Sequence, residues 1–570
     1  MERQDSASEI RNPKSEIPGP KSTWGLVLAL TLVAALLRFY DLGEASFWVD
    51  ELDFVNAAIS MQEVGQPLLG SGYPYPRAPL LTYALMASFK LFGVSEFSTR
   101  LPSALAGVLT IPLVFVVGRR FFGERAGLIA AVFLTFAPFA IGWSRACRMY
   151  ALFQLLFLAG MFFFYLGFEA ERKAASGSGG SGVFARLRAW FDEQGVSVPW
   201  LLLGGLFLLL SYTTHQNAGL FLLSFVLYLF VGAAYVAVKE GSRALWPSKY
   251  FVALALIVGM GLLALLLLPQ ARAFVASAQV YQPKWAEVAS AQNRWRLLSF
   301  FSGWQQFPIN VLFVLGAVQA LRRFHKPGVY ALLTFLVPVL MFSFVFQYRK
   351  NDYVFHVLPL FYLLAAAPLE NVVTRVWQRG RNWRGWPGRL LRGPVGVWAA
   401  TALVLVWFPL TPTLRFGQKI PRLGDGYFNG AVYFNEWKEA AAWLRPRLSE
   451  EDTLISTLPQ TVQYYLGRAE YNLNWSNGHL AQVKGYYAPD GRLVDFYSGA
   501  DVIVDLDELE QVLRAHPQGW LLVDTYRFGN PVYVPEAVHA FVVQNMEKAY
   551  ETQRGTVAVY RWNEELQITN

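Results

Sequence analysis

Three carboxylates fall within four positions in the stretch Phe47-Trp48-Val49-Asp50-Glu51-Leu52-Asp53, beside two large aromatics. A carboxylate so placed can take a proton from a hydroxyl. If residues 50–62 are helical, Leu52, Val55 and Ile59 share one arc, Asp50 lies opposite it, and Asp53 lies beside Asp50. Such a helix would lie along a membrane surface and show its acidic edge to a polar cavity. A solvated face on a loop has the same composition, so the rest of the chain must decide.

The elements that would position these residues are membrane spans. The chain has 570 residues, of which 54% are hydrophobic and 16% aromatic. Soluble domains are about 45–50% apolar, and many runs here reach the roughly 20 residues that cross a bilayer. The sequence therefore predicts a polytopic helix bundle with room for one further domain. The net charge of +9 does not point to nucleic acid, because Lys and Arg cluster in short loops between spans. The single cysteine, Cys147, excludes an internal disulfide, and no Cys/His cluster has metal-ligand spacing.

Residues 1–22 are polar, contain Pro13, Pro18 and Pro20, and read as a disordered cytoplasmic tail. Residues 24–40 read as a signal anchor. The apolar run 79–92 is short for a span and suits a re-entrant or interfacial segment. If it does not cross, Arg119, Arg120 and Arg125 and the loop 171–199 share the cytoplasmic side, and spans alternate near 99–117, 126–143, 148–168, 198–213, 217–237, 249–269, 305–321, 328–346, 353–370 and 394–411. That makes eleven spans within a membrane domain at 23–411, with the catalytic loop at 43–98 outside. Beyond it, 452–457, 520–524 and 556–562 read as strands and 435–448, 505–515 and 535–550 as helices. They predict a small α/β domain at 412–570, extracytoplasmic by parity.

This topology singles out charges that break the positive-inside pattern. Arg77, Arg100, Arg145, Arg148, Arg272, Lys284, Arg349 and Lys350 fall outside, with His215 in a short outer turn and His356 just inside the following span. Any one of the cations could snorkel to headgroups or pair with Asp50, Glu51 or Asp53. As a set, guanidiniums and carboxylates on one membrane face suggest a site that holds a phosphate and also needs a base. A sugar on a long-chain lipid phosphate fits this chemistry. The phosphate leaves once a cation neutralises it, a carboxylate takes the acceptor's proton, and direct attack inverts the anomeric carbon.

Four stretches resemble the membrane glycosyltransferases of the GT-C fold, in particular the protein O-mannosyltransferase and lipid A aminoarabinose transferase group. Trp48-Val49-Asp50-Glu51 is similar to the family's Asp-Glu motif, and Arg77-Ala78-Pro79-Leu80-Leu81 to its Lys/His-Pro-Pro-Leu motif. Phe92 to Phe97 followed by Arg100-Leu101-Pro102-Ser103 resembles the entry to the second span, and Ser144-Arg145 with Arg148-Met149-Tyr150 resembles its Ser-Arg region. Together they cover about residues 45–155. The resemblance implies Asp50 as catalytic base, Glu51 as a neighbour orienting acceptor or base, and Arg77, Arg145 and Arg148 as donor-phosphate ligands. It leaves Asp53, His215, Arg349 and His356 as further substrate contacts.

The chain departs from the family pattern in two places. Ala78 replaces the first proline, and Asp352-Tyr353 stands where an Arg-Tyr pair is usual, with Arg349 displaced. Some relatives use a divalent metal, although no ligand set here demands one. The implied partners are a polyprenyl-phosphate sugar, membrane lipids, and a glycan, lipid or protein acceptor. A transporter or flippase for a lipid-linked substrate is the alternative, and a membrane sensor with a ligand-binding outer domain is another. Against the first, the charges sit at the outer rim and no repeat is visible. Against the second, the Asp-Glu loop would have no role.

Overall fold

The computed structural model describes residues 20–172, 182–246, 248–269, 272, 307–322, 324–346, 351–380, 435–483, 485–488 and 490–563. A helix bundle fills the first part. Helix α1 is Pro20–Phe39, α2 Val49–Glu63, α3 Pro79–Phe92, α4 Glu96–Phe121, α5 Glu124–Phe136, α6 Pro138–Ser144 and α7 Tyr150–Phe168. Further helices follow at Val198–Thr214, Leu220–Glu240, Lys249–Leu267, Phe307–Arg322, Lys326–Leu340 and Leu358–Gly380.

Among the described residues, six helices are long and apolar enough to cross a membrane, or up to eight if each of two bent pairs is one span. Thr23–Phe39 and Ile309–Arg322 are shorter apolar helices, as is Pro79–Phe92, the segment expected not to cross. The expected span at 394–411 lies outside the described residues. The expected span at 126–143 is broken: α5 and α6 meet at a 63° bend. Pro138 opens α6, and Ala137 before it is extended at ψ 114. The helical region is disfavoured for a residue preceding proline, which favours a break there. Close helix contact is set by small residues. A Cβ on Gly118 of α4 would lie 2.4 Å from the Gly127 Cα of α5.

The loop 171–199 contains a helix at Val183–Gln194. It stands at 77° to the helix that follows, so it does not continue that span.

Residues 435–563 carry a six-stranded sheet in the order β3-β2-β1-β4-β6-β5. The strands are β1 Thr453–Ser456, β2 Tyr471–Asn472, β3 Asp501–Val502, β4 Gly519–Asp524, β5 Glu547–Glu551 and β6 Val557–Trp562. The first four are parallel, and β6 closes antiparallel on β4. Strands β1 and β4 are buried along their whole length, as a parallel strand covered on both faces must be. The helix expected to run to 550 ends at Asn545, and β5 pairs with β6 instead.

The two parts share a core. Leu52, Phe54, Val55 and Ala58 of α2 and Leu81 and Leu85 of α3 form one cluster with Trp437, Leu454, Val462 and Trp520 of the sheet unit. Polar contacts repeat the join. The Tyr465 hydroxyl accepts from the Phe47 N–H at 2.9 Å and donates to Glu96 at 2.9 Å. The Ser71 hydroxyl donates to the Phe496 carbonyl at 2.6 Å. Helix α2 is therefore not a surface helix with one buried arc. Phe54, Ala57, Glu51 and Asp53 are buried as well, Glu51 against Arg100 of α4 and Asp53 against Gln460 of the sheet unit.

Candidate active site

Helix α2 begins where Trp48 turns extended, and Glu51 in its first turn reaches back to accept the Trp48 N–H at 3.0 Å. That is half of a capping box. Glu51 is 1% exposed. Its two oxygens also accept Arg100 Nε at 2.9 Å, Arg100 Nη2 at 2.7 Å and the Cys147 N–H at 2.7 Å. Arg100 in turn donates to the carbonyls of Leu42, Ala45 and Ser46. Glu51 thus ties the loop after α1, the start of α4 and the turn before α7 into one knot. Every one of these donors belongs to the protein. Glu51, expected to orient the acceptor or the base, is a buried carboxylate saturated by donors of the protein.

One residue earlier on the helix, the environment changes. The Asp50 side chain is 35% exposed and pairs with Arg148 Nη1 at 3.3 Å. The same guanidinium nitrogen donates to the Asp50 carbonyl at 3.1 Å. Arg148 lies over the rings of Trp48, Phe54 and Tyr150 at 5.4–5.9 Å from their centres. These aromatic faces hold the cation, and the cation holds Asp50. The Asp50 charge raises the Arg148 pKa, against the opposing effect of burial. Arg148, expected as a phosphate ligand, is placed as the partner of Asp50.

Asp53 is 6% exposed and accepts Gln460 Nε2 at 3.0 Å, a donor from the sheet unit. Burial, then the Asp50 charge, push the Asp53 carboxyl up to about 7; the Gln460 hydrogen bond and the Arg148 and Arg77 charges oppose them. Asp53 is thus set apart from its neighbours by its surroundings, with its carboxyl shifted by burial beside the Asp50 charge.

Arg77 is exposed, with its guanidinium 5.6 Å from the Tyr75 ring centre and no ion pair among the described residues. Its charge acts on Asp53, His215 and Tyr497 alike, which places it at the same cluster. His215 accepts the Asn217 N–H through Nδ1 at 3.1 Å. Burial, then the Arg148 and Arg77 charges, hold its pKa down to about 4. At neutral pH the ring is uncharged, and with Nδ1 accepting, Nε2 carries the hydrogen. His356 is 1% exposed and packs against Phe153 at 4.4 Å and Phe157 at 4.7 Å between ring centres. That position is enclosed and does not line an open site. Arg349 lies outside the described residues.

Arg145 is placed differently from the expected phosphate ligand. It is 6% exposed. Nη1 donates to the carbonyls of Leu37, Arg38 and Tyr40, and Nη2 to that of Asp41. A planar fork suits the diverging carbonyls at a helix C-terminus, so Arg145 seals the end of α1. Ala78 lies at φ +47, in the left-handed region. Proline is locked near φ −65°, so the first proline of the family motif cannot stand at 78 in this backbone.

A divalent ion does not fit this donor set. Glu51 is saturated, Asp50 is paired with Arg148, and Asp53 is bonded to Gln460. Among the described residues no three His, Cys, Asp or Glu side chains converge. The residues that sequence reasoning missed are Gln460 and Tyr497, brought to the loop by the sheet unit, and Glu96 at the start of α4, which accepts from Tyr465 of that unit. Burial, then the charges of Asp53 and Asp50, push the Tyr497 hydroxyl up to about 12. Nothing in their local sequence marks them.

Residues 76–185 match the family model described as dolichyl-phosphate-mannose-protein mannosyltransferase. "Putative mannosyltransferase YkcB" of Bacillus subtilis is 28% identical over 157 residues, 26% of this chain and 21% of YkcB. The chain spans less than a third of the length of the curated relatives it matches. Two solved structures are similar over nearly the whole chain. ArnT from Cupriavidus metallidurans, bound to undecaprenyl phosphate, has a TM-score of 0.57 at 16% identity, over 96% of this chain and 99% of ArnT. The archaeal oligosaccharyltransferase AglB from Archaeoglobus fulgidus, in complex with an inhibitory peptide and a dolichol-phosphate, has a TM-score of 0.54 at 12% identity, over 96% of this chain and 75% of AglB. The fold is therefore the GT-C membrane fold, and the protein is a multi-pass membrane protein.

Proposed function

We propose that this chain is a membrane glycosyltransferase that moves a sugar from a polyprenyl-phosphate carrier to an acceptor hydroxyl, with Asp50 as general base. The observation that carries the reading is the division among the three carboxylates. Glu51 is saturated and Asp53 is buried, while Asp50 alone is part exposed and held in place by Arg148. The acceptor oxygen bonds to the anomeric carbon as the bond from that carbon to the phosphate oxygen breaks. The acceptor's proton passes to an Asp50 oxygen, and the electron pair leaves with the phosphate. Attack from the face opposite the leaving group inverts the anomeric configuration.

Arg77 is the residue we assign to the phosphate, since it is exposed and has no ion pair among the described residues. A guanidinium there offsets the charge that develops on the leaving oxygen. Arg148 fixes the carboxylate's orientation, and His215 offers a neutral donor to a sugar hydroxyl. In this reading the α/β unit lies on the extracytoplasmic side and, through Gln460 and Tyr497, shapes the acceptor entrance.

The test uses the purified full chain in nanodiscs with a panel of radiolabelled polyprenyl-phosphate hexoses and pentoses. Release of polyprenyl phosphate from one of them, dependent on Arg77, is the expected result. Folded protein that releases none of them, yet moves the labelled lipid across the bilayer, would replace this reading with the transporter one.

A further inference from the structure

A polar cavity lies at the far end of α7. From Tyr150, beside the carboxylate cluster, to Phe168 is 19 residues, about 27 Å of helix. There a cavity of about 440 Å³ opens between the end of α7 and the starts of the helices Lys249–Leu267 and Lys326–Leu340. That size is within the range of ligand pockets, but those are mostly apolar. This one is lined by Glu169, Arg172, Glu240, Lys249 and Lys326.

Its floor is internally balanced. Glu169 accepts Tyr228 at 2.9 Å, Tyr250 at 2.6 Å, Lys249 at 3.1 Å and Lys326 at 3.0 Å. Lys249 also donates to the carbonyls of Phe168 and Gly195. With Glu169 and Lys249 cancelling, Arg172 and Lys326 face the single carboxylate of Glu240. The Lys326 side chain is 43% exposed and has donors beyond the one given to Glu169. Arg172 is exposed and has no ion pair among the described residues. The helix starting at Lys326 has no side-chain cap, so its positive end adds to the field.

Beside the cavity stands the helix Val183–Gln194. It carries Arg186, Arg188 and Trp190 and stands at 77° to the next helix, as an interfacial helix does. Its last residue, Gln194, lines the cavity and accepts the Lys249 N–H at 3.1 Å. The cavity therefore lies at the end of α7 opposite the carboxylate cluster, beside a basic, Trp-bearing helix of a kind suited to a membrane interface.

We propose that this cavity binds a phosphate group, held by Arg172 and Lys326, from an anionic lipid headgroup or from free phosphate. Neither residue belongs to the site assigned above, so the proposal does not depend on that reading. Lipid retention by the purified full chain is read by native mass spectrometry with phosphatidylglycerol against phosphatidylcholine, and inorganic phosphate binding by equilibrium dialysis. Arg172→Ala and Lys326→Ala should each weaken binding roughly tenfold, the loss of one charge-assisted contact, and Lys326→Arg should restore it. Arg172 is exposed, so its loss leaves the fold intact. Preferential retention of phosphatidylglycerol, lost in both variants, assigns the headgroup; phosphate binding lost in both, without lipid preference, assigns the free ion. Variants that bind phosphatidylglycerol and phosphate as the wild type does would overturn the proposal.

Discussion

Replacing Glu51 with Gln separates a structural carboxylate from a chemical one. Glu51 and Arg100 are 1% and 2% exposed and are joined at 2.7 and 2.9 Å. Removing one partner of such a pair costs about 3–5 kcal/mol, because the other charge stays buried without compensation. The lower end applies here, since Arg100 keeps the carbonyls of Leu42, Ala45 and Ser46. The Gln amide also sets a new donor against Arg100 in either orientation, together with the Cys147 or the Trp48 N–H. Asp50→Asn is the matched control. Its pair with Arg148 is less buried than Glu51–Arg100, and in Asp50→Asn the guanidinium keeps the Asp50 carbonyl and its aromatic faces, so the loss should be smaller. Thermal unfolding in detergent should therefore show a clear drop for Glu51→Gln and a smaller one for Asp50→Asn. A Glu51→Gln protein that unfolds at the wild-type temperature but has lost turnover would refute the reasoning and return Glu51 to the chemistry.

Asp53 gives a pH signature. Its pKa is raised to about 7 in the folded protein from the ordinary 3.8, so the folded state binds the extra proton between those values and is destabilised as pH rises toward 7. Asp53→Asn should raise the unfolding temperature at pH 8, with the gain fading as pH falls below about 7; a gain that does not vary with pH would count against a buried, raised carboxyl. Arg145→Ala should lower thermal stability without weakening donor binding, whereas Arg77→Ala should weaken donor binding with stability retained; an exchange of these two phenotypes would restore Arg145 as the phosphate ligand. Tyr465→Phe leaves the Phe47 N–H and Glu96 without their shared hydroxyl, a cost of about 1–3 kcal/mol, and thermal unfolding equal to wild type would show that the join between loop and sheet unit is not formed there.

What the sequence made legible was whatever depends on near neighbours. Apolar run length located the bundle, and β-rich stretches located β1, β4 and β6. Asp505 has capping-box spacing to Glu508, whose N–H it accepts at 2.9 Å. The strands β2 and β3 are two residues each and have no local pattern to read. The acidic cluster itself was visible, but its division of labour was not. That division is set by Arg100, 49 residues from Glu51, and by Gln460, 407 residues from Asp53. Arg145 shows the same limit, because a guanidinium suited to phosphate is equally suited to the carbonyls at the end of α1. Helical periodicity could not foresee that α4 and a distant sheet unit would bury residues beyond the apolar arc of α2.

The central claim is that Asp50 takes the acceptor's proton. The most direct measurement is sugar transfer from the accepted polyprenyl-phosphate donor by wild type and Asp50→Asn at equal folded concentration, with donor binding measured alongside. The Asn side chain keeps the shape and can still accept from Arg148, but it cannot hold the proton in the transition state. General-base catalysis contributes about 10²–10⁴-fold. The account predicts a loss of that size with donor binding retained, while transfer by Asp50→Asn at a near-wild-type rate would contradict it.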